Sequence, residues 1–130
     1  MKQKIVQATE AMLKQDLHDI LIAVQNAINH GACVDGIYGV PRGGLPIAVL
    51  LSNRLGLPLL MAPTKQCIVC DDILDSGKMM DVLYEKYCRD SSSRIFVWYI
   101  NEERKAECRE RQIYYVRTKK AKDWVQFFWE

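Results

Sequence analysis

Apolar residues recur at Leu13, Leu17, Ile20, Leu21, Val24 and Ile28, the spacing of one helix face, with Thr9 placed to cap the start and Gly31 to end it. The stretch VDGIYGV (34–40) reads as a short strand ending in a turn. Leu45, Ala48, Val49, Ser52 and Leu55 resume helical spacing until Gly56 and Pro58 stop it. LPLLMA (57–62) reads as a second strand. CIVCD (67–71) is a third, and its unbroken apolar run before the aspartate suits a strand covered on both faces. Met79, Met80, Leu83 and Tyr87 mark another helix, RIFVWYI (94–100) and RQIYYVR (111–117) are the fourth and fifth strands, and DWVQFFWE (123–130) follows. Strands separated by helices predict an α/β fold in three layers, a parallel sheet with helices on both faces.

Composition narrows the partners. With 130 residues, 49% of them apolar, the chain is expected to form one domain over 1–130 with its own core. Charged residues make up 26% and nearly cancel to +2, with no basic run interleaved with aromatics, so no nucleic-acid partner is expected. Lys119, Lys120 and Lys122 read as a solvated turn. No apolar run is long enough for a bilayer and the N-terminus lacks an apolar leader core, so no membrane partner and a cytoplasmic location are expected. Five cysteines, an odd number, fit a reducing compartment better than a disulfide framework. Cys67 and Cys70 form a C-x-x-C, but side chains three apart on a strand point to opposite faces and cannot share a metal or a bond. His18 and His30 fall on or beside the first helix, at surface or cap positions.

Chemistry concentrates in CIVCDDILDSGKMM (67–80). Ligands of open parallel sheets bind outside the carboxyl ends of the strands, where Asp71 and Asp72 fall. The chain then turns from strand to helix, leaving the N–H groups of Asp75, Ser76, Gly77, Lys78 and Met79 at a positive dipole end, with Gly77 allowing close approach of an anion. A phosphate there with carboxylates beside it describes a sugar phosphate, its hydroxyls bonded to the acids directly or across a hydrated Mg2+. Helix capping would explain one of the three acids, not all. A second cluster, GVPRGG (39–44), opens the next helix on the same sheet edge. Arg42 offers a planar fork for phosphate oxygens, and Gly43 and Gly44 free the backbone near a ligand. Two anion sites on one rim fit a substrate with phosphate at one end and pyrophosphate at the other.

These residues carry a resemblance. IVCDDILDSGKMM resembles the phosphoribosyl pyrophosphate motif of type I phosphoribosyltransferases, YGVPRGGLPIAVLLSNRLGLPLL resembles their first strand, pyrophosphate loop and next helix, and KDWVQFFWE is similar to a C-terminal purine-binding segment of the xanthine-guanine subfamily. The likeness spans about residues 34–130. It implies a Rossmann-like three-layer fold with a short C-terminal purine-binding hood. It also implies a cytoplasmic, Mg2+-dependent purine-salvage transferase, working as a dimer or tetramer of identical chains. Its products would be a nucleoside 5-monophosphate and pyrophosphate, made from guanine, xanthine or hypoxanthine and phosphoribosyl pyrophosphate. Asp71 and Asp72 would hold the ribose hydroxyls and the metal's surroundings, residues 75–79 the 5-phosphate, and Arg42, Gly43 and Gly44 the pyrophosphate across a cis Pro41–Arg42 peptide. Asp75 would be the catalytic acid or base near purine N7, Trp124 would stack on the base, and the Val125 backbone would read its exocyclic group.

The sequence departs from that pattern in three places. The long loop that closes over such sites is reduced to about Pro63–Gln66, Met79 stands where the phosphate cradle usually ends in threonine, and Asn101 stands near the position of a lysine that reads the purine 6-oxo group, so that Asn101 would bind the base through its amide, without a charge. The missing loop leaves a second class of function open: a non-catalytic nucleotide or phosphoribosyl pyrophosphate binder with a regulatory role.

Overall fold

The computed structural model describes residues 2–31 and 34–130. Its elements are β1 (Ile5–Ala8), α1 (Glu10–Asn29), β2 (Gly36–Gly39), α2 (Leu45–Leu55), β3 (Cys67–Leu74), α3 (Lys78–Leu83), β4 (Arg94–Asn101), α4 (Lys105–Arg111), β5 (Tyr114–Lys119) and β6 (Trp124–Phe127). A π-helical turn, Tyr84–Cys88, continues α3, and a 3-10 turn, Glu102–Arg104, precedes α4. Four parallel strands form the main sheet in the order β2-β3-β4-β5, and β1 and β6 pair in parallel as a separate two-stranded ribbon.

Period-2 alternation sorts the apolar residues of the sheet into two cores. Ile68, Cys70, Phe96 and Trp98 pack with α1, α2 and the β1–β6 ribbon, while Cys67, Val69, Ile95 and Val97 pack with Met80, Cys88 and Cys108 on the other face. Cys67 and Cys70 therefore lie on opposite faces, as the strand reading requires. The helix face read from the sequence is the buried one: Leu13, Leu17, Ile20 and Val24 are all in the core, and the Thr9 side chain accepts from Met12 N at 3.2 Å. Asp16, on the same face, is buried with two partners: Trp98 Nε1 donates to it at 2.7 Å, and Arg117 pairs with it from β5. His30 caps α1, its ring Nδ1 lying 2.7 Å from Asn26 O.

Three expectations are corrected, and one strand is present that no pattern in the sequence marks. LPLLMA is not a strand: Leu59 makes a single bridge to Ile37, flanked by Ile37 N→Pro58 O and Leu60 N→Ile37 O bonds, and Met61 then turns out at 95% exposure. Pro58 has no N–H to extend a ladder, and β2 beside it is itself short. The fifth strand starts three positions later, at Tyr114, because α4 runs to Arg111 and Gln112 ends it in a left-handed turn (φ 57°). The strand β1, four residues with only Ala8 buried, has no periodic signal and exists by pairing with β6, register Val6 to Val125. Lys119, read as part of a solvated turn, is buried. No helix among the described residues is long and apolar enough to cross a membrane.

Candidate functional site

The carboxyl ends of β2 and β3 carry both loops. Gly44 N bonds Val40 O (2.8 Å), Leu45 N bonds Arg42 O (3.2 Å) and Val40 N bonds Cys70 O (2.9 Å), so the loop after β2 is a tight turn tied to the end of β3. Its Pro41–Arg42 peptide is cis, as the resemblance implies. Both glycines sit at close approaches, of which only that at Gly44 is to backbone. A Cβ on Gly43 would collide with the Asp72 carboxylate, and one on Gly44 with the Cys70 carbonyl and Val40 backbone.

Successive residues on β3 face opposite ways, and the two acids divide between two cavities. Asp71 lines one of about 150 Å³ with Asp75, Ser76, Gly77 and Met79. Asp72 lines another of about 460 Å³ with Arg42, Gly43, Trp129 and Glu130. The sugar-phosphate candidates and the pyrophosphate candidates are thus brought to the two sides of one acidic pair. Asp72 N donates to Asp71 Oδ1 at 2.8 Å. Burial first, and the neighbouring Asp72 second, hold the Asp71 carboxyl far above the usual carboxylate range; burial also raises Asp72. Two carboxyls whose charge is this poorly solvated fit a divalent cation and hydroxyl donors. Among the described residues no group of three or more His, Cys, Asp or Glu side chains could cage a metal. A Mg2+ at Asp71 and Asp72 would therefore take most of its ligands from water and substrate oxygens.

The cradle turns at Gly77, in the left-handed region at φ 84°, and α3 begins at Lys78, where the first helical N–H groups have no preceding carbonyl to bond. Lys78 N approaches Ser76 Oγ at 3.5 Å, and Asp81 N bonds Gly77 O at 2.8 Å. Met79 is 61% exposed, and lines a wider apolar groove with Tyr38, Pro41 and Val82 as well as the cradle.

Asp75 is held from three sides. Asn101 Nδ2 donates to its Oδ1 at 3.2 Å, Lys119 Nζ lies 3.0 Å from the same oxygen, and Arg104 Nε donates to its backbone carbonyl at 3.0 Å. Asn101 also accepts from Glu103 N at 3.0 Å, so both ends of its amide are engaged. Lys119 and Arg104 were not among the candidates read from the sequence. Arg104 lies in a charged run with no periodic mark, and Lys119 sits among other lysines. Only the ends of β4 and β5 bring both to Asp75. Glu107, from α4, backs Gly77, and its Oε2 is buried with no hydrogen-bond partner among the described residues.

The aromatic residues of the C-terminal segment divide. Trp124 is 55% exposed at the start of β6, and its N–H donates to Lys4 O at 2.9 Å. Phe128 N bonds Ala8 O on the same partner strand, so alternation turns the Val125 N–H and carbonyl to the open edge of β6, while its side chain is in the core. Trp129 stacks on Phe127 with centroids 5.1 Å apart and also lines the Arg42 cavity. It packs the core face of the segment and closes one side of that cavity.

Solved structures share this architecture. A purine phosphoribosyltransferase from Pyrococcus horikoshii matches with TM-score 0.73 and 22% identity over 98% of this chain and 95% of its own. A xanthine-guanine-hypoxanthine phosphoribosyltransferase from Helicobacter pylori matches with TM-score 0.71 and 20% identity over 97% and 93%. A hypothetical protein from Neisseria gonorrhoeae with bound ppGpp matches with TM-score 0.74 and 14% identity over 100% and 91%. No protein-family model and no curated protein matches the sequence. The chain has the type I phosphoribosyltransferase fold.

Proposed function

We propose that this chain is a Mg2+-dependent phosphoribosyltransferase that makes a nucleoside 5-monophosphate and pyrophosphate from a 6-oxopurine (guanine, xanthine or hypoxanthine) and phosphoribosyl pyrophosphate. The observation that carries this reading is the position of two anion loops, 75–79 and 41–44, on either side of Asp71 and Asp72 at one sheet edge. The activities named for the Pyrococcus horikoshii and Helicobacter pylori proteins, which share the fold, support it.

In the reaction the bond from ribose C1 to a pyrophosphate oxygen breaks, its electron pair leaving with pyrophosphate, and a purine ring nitrogen supplies the pair for the new C1–N bond. The backbone N–H groups of residues 75–79 bind the 5-phosphate, and Asp71 and Asp72 orient the ribose hydroxyls. Arg42 and the Gly43–Gly44 backbone take the charge that grows on the leaving group. Asp75 accepts the proton that the purine gives up, at Oδ2, the oxygen that Asn101 and Lys119 do not bond. Trp124 and the Val125 backbone bind and orient the base. Mg2+ bound beside Asp71 and Asp72 supplies charge neutralisation for the pyrophosphate. The enzyme acts in the cytoplasm as a homo-oligomer, which light scattering would test.

A second reading is a nucleotide-binding regulator without turnover. It is favoured by the ppGpp bound to the Neisseria gonorrhoeae protein and by the short 61–66 connection, which is pinned beside β3 by Ser93 Oγ on Thr64 O at 2.7 Å. A spectrophotometric assay with Mg2+, phosphoribosyl pyrophosphate and a panel of bases, run beside calorimetric titration of the same ligands and ppGpp, separates the two. Turnover with a 6-oxopurine is the expected result. Tight nucleotide binding with no turnover of any base would overturn the enzyme reading in favour of the regulator.

A further inference from the structure

One side chain joins the Asp75 carboxylate to the segment that carries Trp124. Lys119, the last residue of β5, has a side chain only 2% exposed. Its Nζ lies 3.0 Å from Asp75 Oδ1, donates to Asp123 O at 2.8 Å and to Ala121 O at 3.3 Å. An ammonium has three donors, and here all three are used: one on the loop after β3 and two on the turn that delivers Trp124. Polar donors this deeply buried need such acceptors in place of water, so the turn and the carboxylate are held to one point.

The other attachments of both segments leave that point decisive. Asn101 bonds the same Oδ1, so among the described residues Asp75 Oδ2 has no hydrogen-bond partner, in a side chain that is 47% exposed. The far side of the turn is fixed to the N-terminal ribbon, with Lys4 N donating to the Asp123 carboxylate at 3.3 Å and Trp124 N to Lys4 O at 2.9 Å. Trp124 is thus clasped by the ribbon on one side and by Lys119 on the other, while its ring stays accessible.

We propose that Lys119 is a positioning residue that fixes the Trp124 segment relative to the free oxygen of Asp75. The pair thereby selects a planar heterocycle that stacks on the indole and offers a ring N–H to the carboxylate. The inference rests on the reading of this edge as a nucleotide site. It assigns base recognition to a cation that acts through two other residues, its own donors being already occupied.

The test is calorimetric titration of GMP and of ribose 5-phosphate into the wild-type chain, Lys119→Met, Trp124→Ala and the double variant. Lys119→Met is expected to leave ribose 5-phosphate affinity within about twofold and to weaken GMP about tenfold or more. The double variant is expected to bind GMP no worse than the weaker single one, because both act on one stacking contact. A general loss of stability would not move the ratio of the two affinities. Lys119→Gln, which keeps donors without the charge, carries the same measurement if the methionine variant does not fold. Equal losses for both ligands, or fully additive losses in the double variant, would overturn the proposal. Wild-type protein that binds neither ligand would overturn the underlying site reading along with it, whereas wild-type binding with an unchanged ratio in the variants overturns this inference alone.

Discussion

Asp71 sits where burial and a neighbouring carboxylate both oppose its charge, and the direction of its shift has a measurable sign. The folded chain holds a proton at Asp71 that the unfolded chain releases near pH 4. Stability conferred by that proton is present below the unfolded value and is lost as pH rises toward the folded one. Asp71→Asn keeps an oxygen to accept from Asp72 N but has no proton to lose. Its melting temperature is therefore expected to exceed that of the wild type by a margin that widens between pH 5 and pH 8, read by thermal scans at both. A constant margin would mean that Asp71 is charged throughout. The gain in stability should come with weaker Mg2+-dependent binding of phosphoribosyl pyrophosphate. Asp75→Asn is the contrasting case: Asp75 is half exposed and bonded through one oxygen, so the amide should fold normally, bind phosphoribosyl pyrophosphate as before and lose turnover by about a hundredfold or more, as expected for removal of a proton-transfer group. Loss of binding together with turnover would make Asp75 a structural member of the cradle.

At the scale of elements, the two glycines of the 41–44 loop should separate function from folding. Gly43 abuts the end of the Asp72 side chain, which can rotate away, so Gly43→Ala should fold and lose about tenfold in pyrophosphate affinity. Gly44 abuts the backbone of Cys70 and Val40, which cannot rotate away, so Gly44→Ala should lower the melting temperature before any ligand is added. A pair of alanine variants with the same stability and the same affinity would count against this packing. These loops were legible in the sequence because each combines local signals: an apolar strand, an acidic or glycine-rich turn, then helical spacing. The main-sheet strands and α1 were legible for the same reason. What was not legible depends on partners distant in sequence. The strand β1 buries little beyond Ala8 and is defined by β6, 119 residues away. LPLLMA has the composition of a strand, yet only Leu59 finds a bridge. Lys119 and Arg104 reach Asp75 only because β4 and β5 end side by side, and periodicity carries no trace of that.

Across the whole molecule, the ribbon of β1 and β6 ties the start of the chain to the Trp124 segment while lying outside the main sheet. Its strands run Ile5 to Trp124 through Ala8 to Phe127, extended by Lys4 O to Trp124 N and Ala8 O to Phe128 N. The ribbon is anchored by Ala8, Val125 and Phe127, which pack into the same core as α1 and Trp98. The cradle and the 41–44 loop, by contrast, are built on β2 and β3 and, among the described residues, have no hydrogen bond to β1. Weakening the ribbon should therefore act on the base end of a ligand and spare the phosphate end. Val6 pairs with Val125 and packs, partly buried, against the core, so Val6→Asp places a charge where the ribbon meets apolar side chains. The expected outcome is weaker GMP binding with ribose 5-phosphate affinity retained, together with faster amide exchange at Gln126 and Phe128, whose N–H groups face β1, than at Cys70 or Val97 in the main sheet. Equal acceleration of exchange in both sheets would mean that ribbon and sheet open as one unit. Loss of the two ligands in parallel would then follow from global unfolding, and the division of labour between the ribbon and the sheet edge would be wrong.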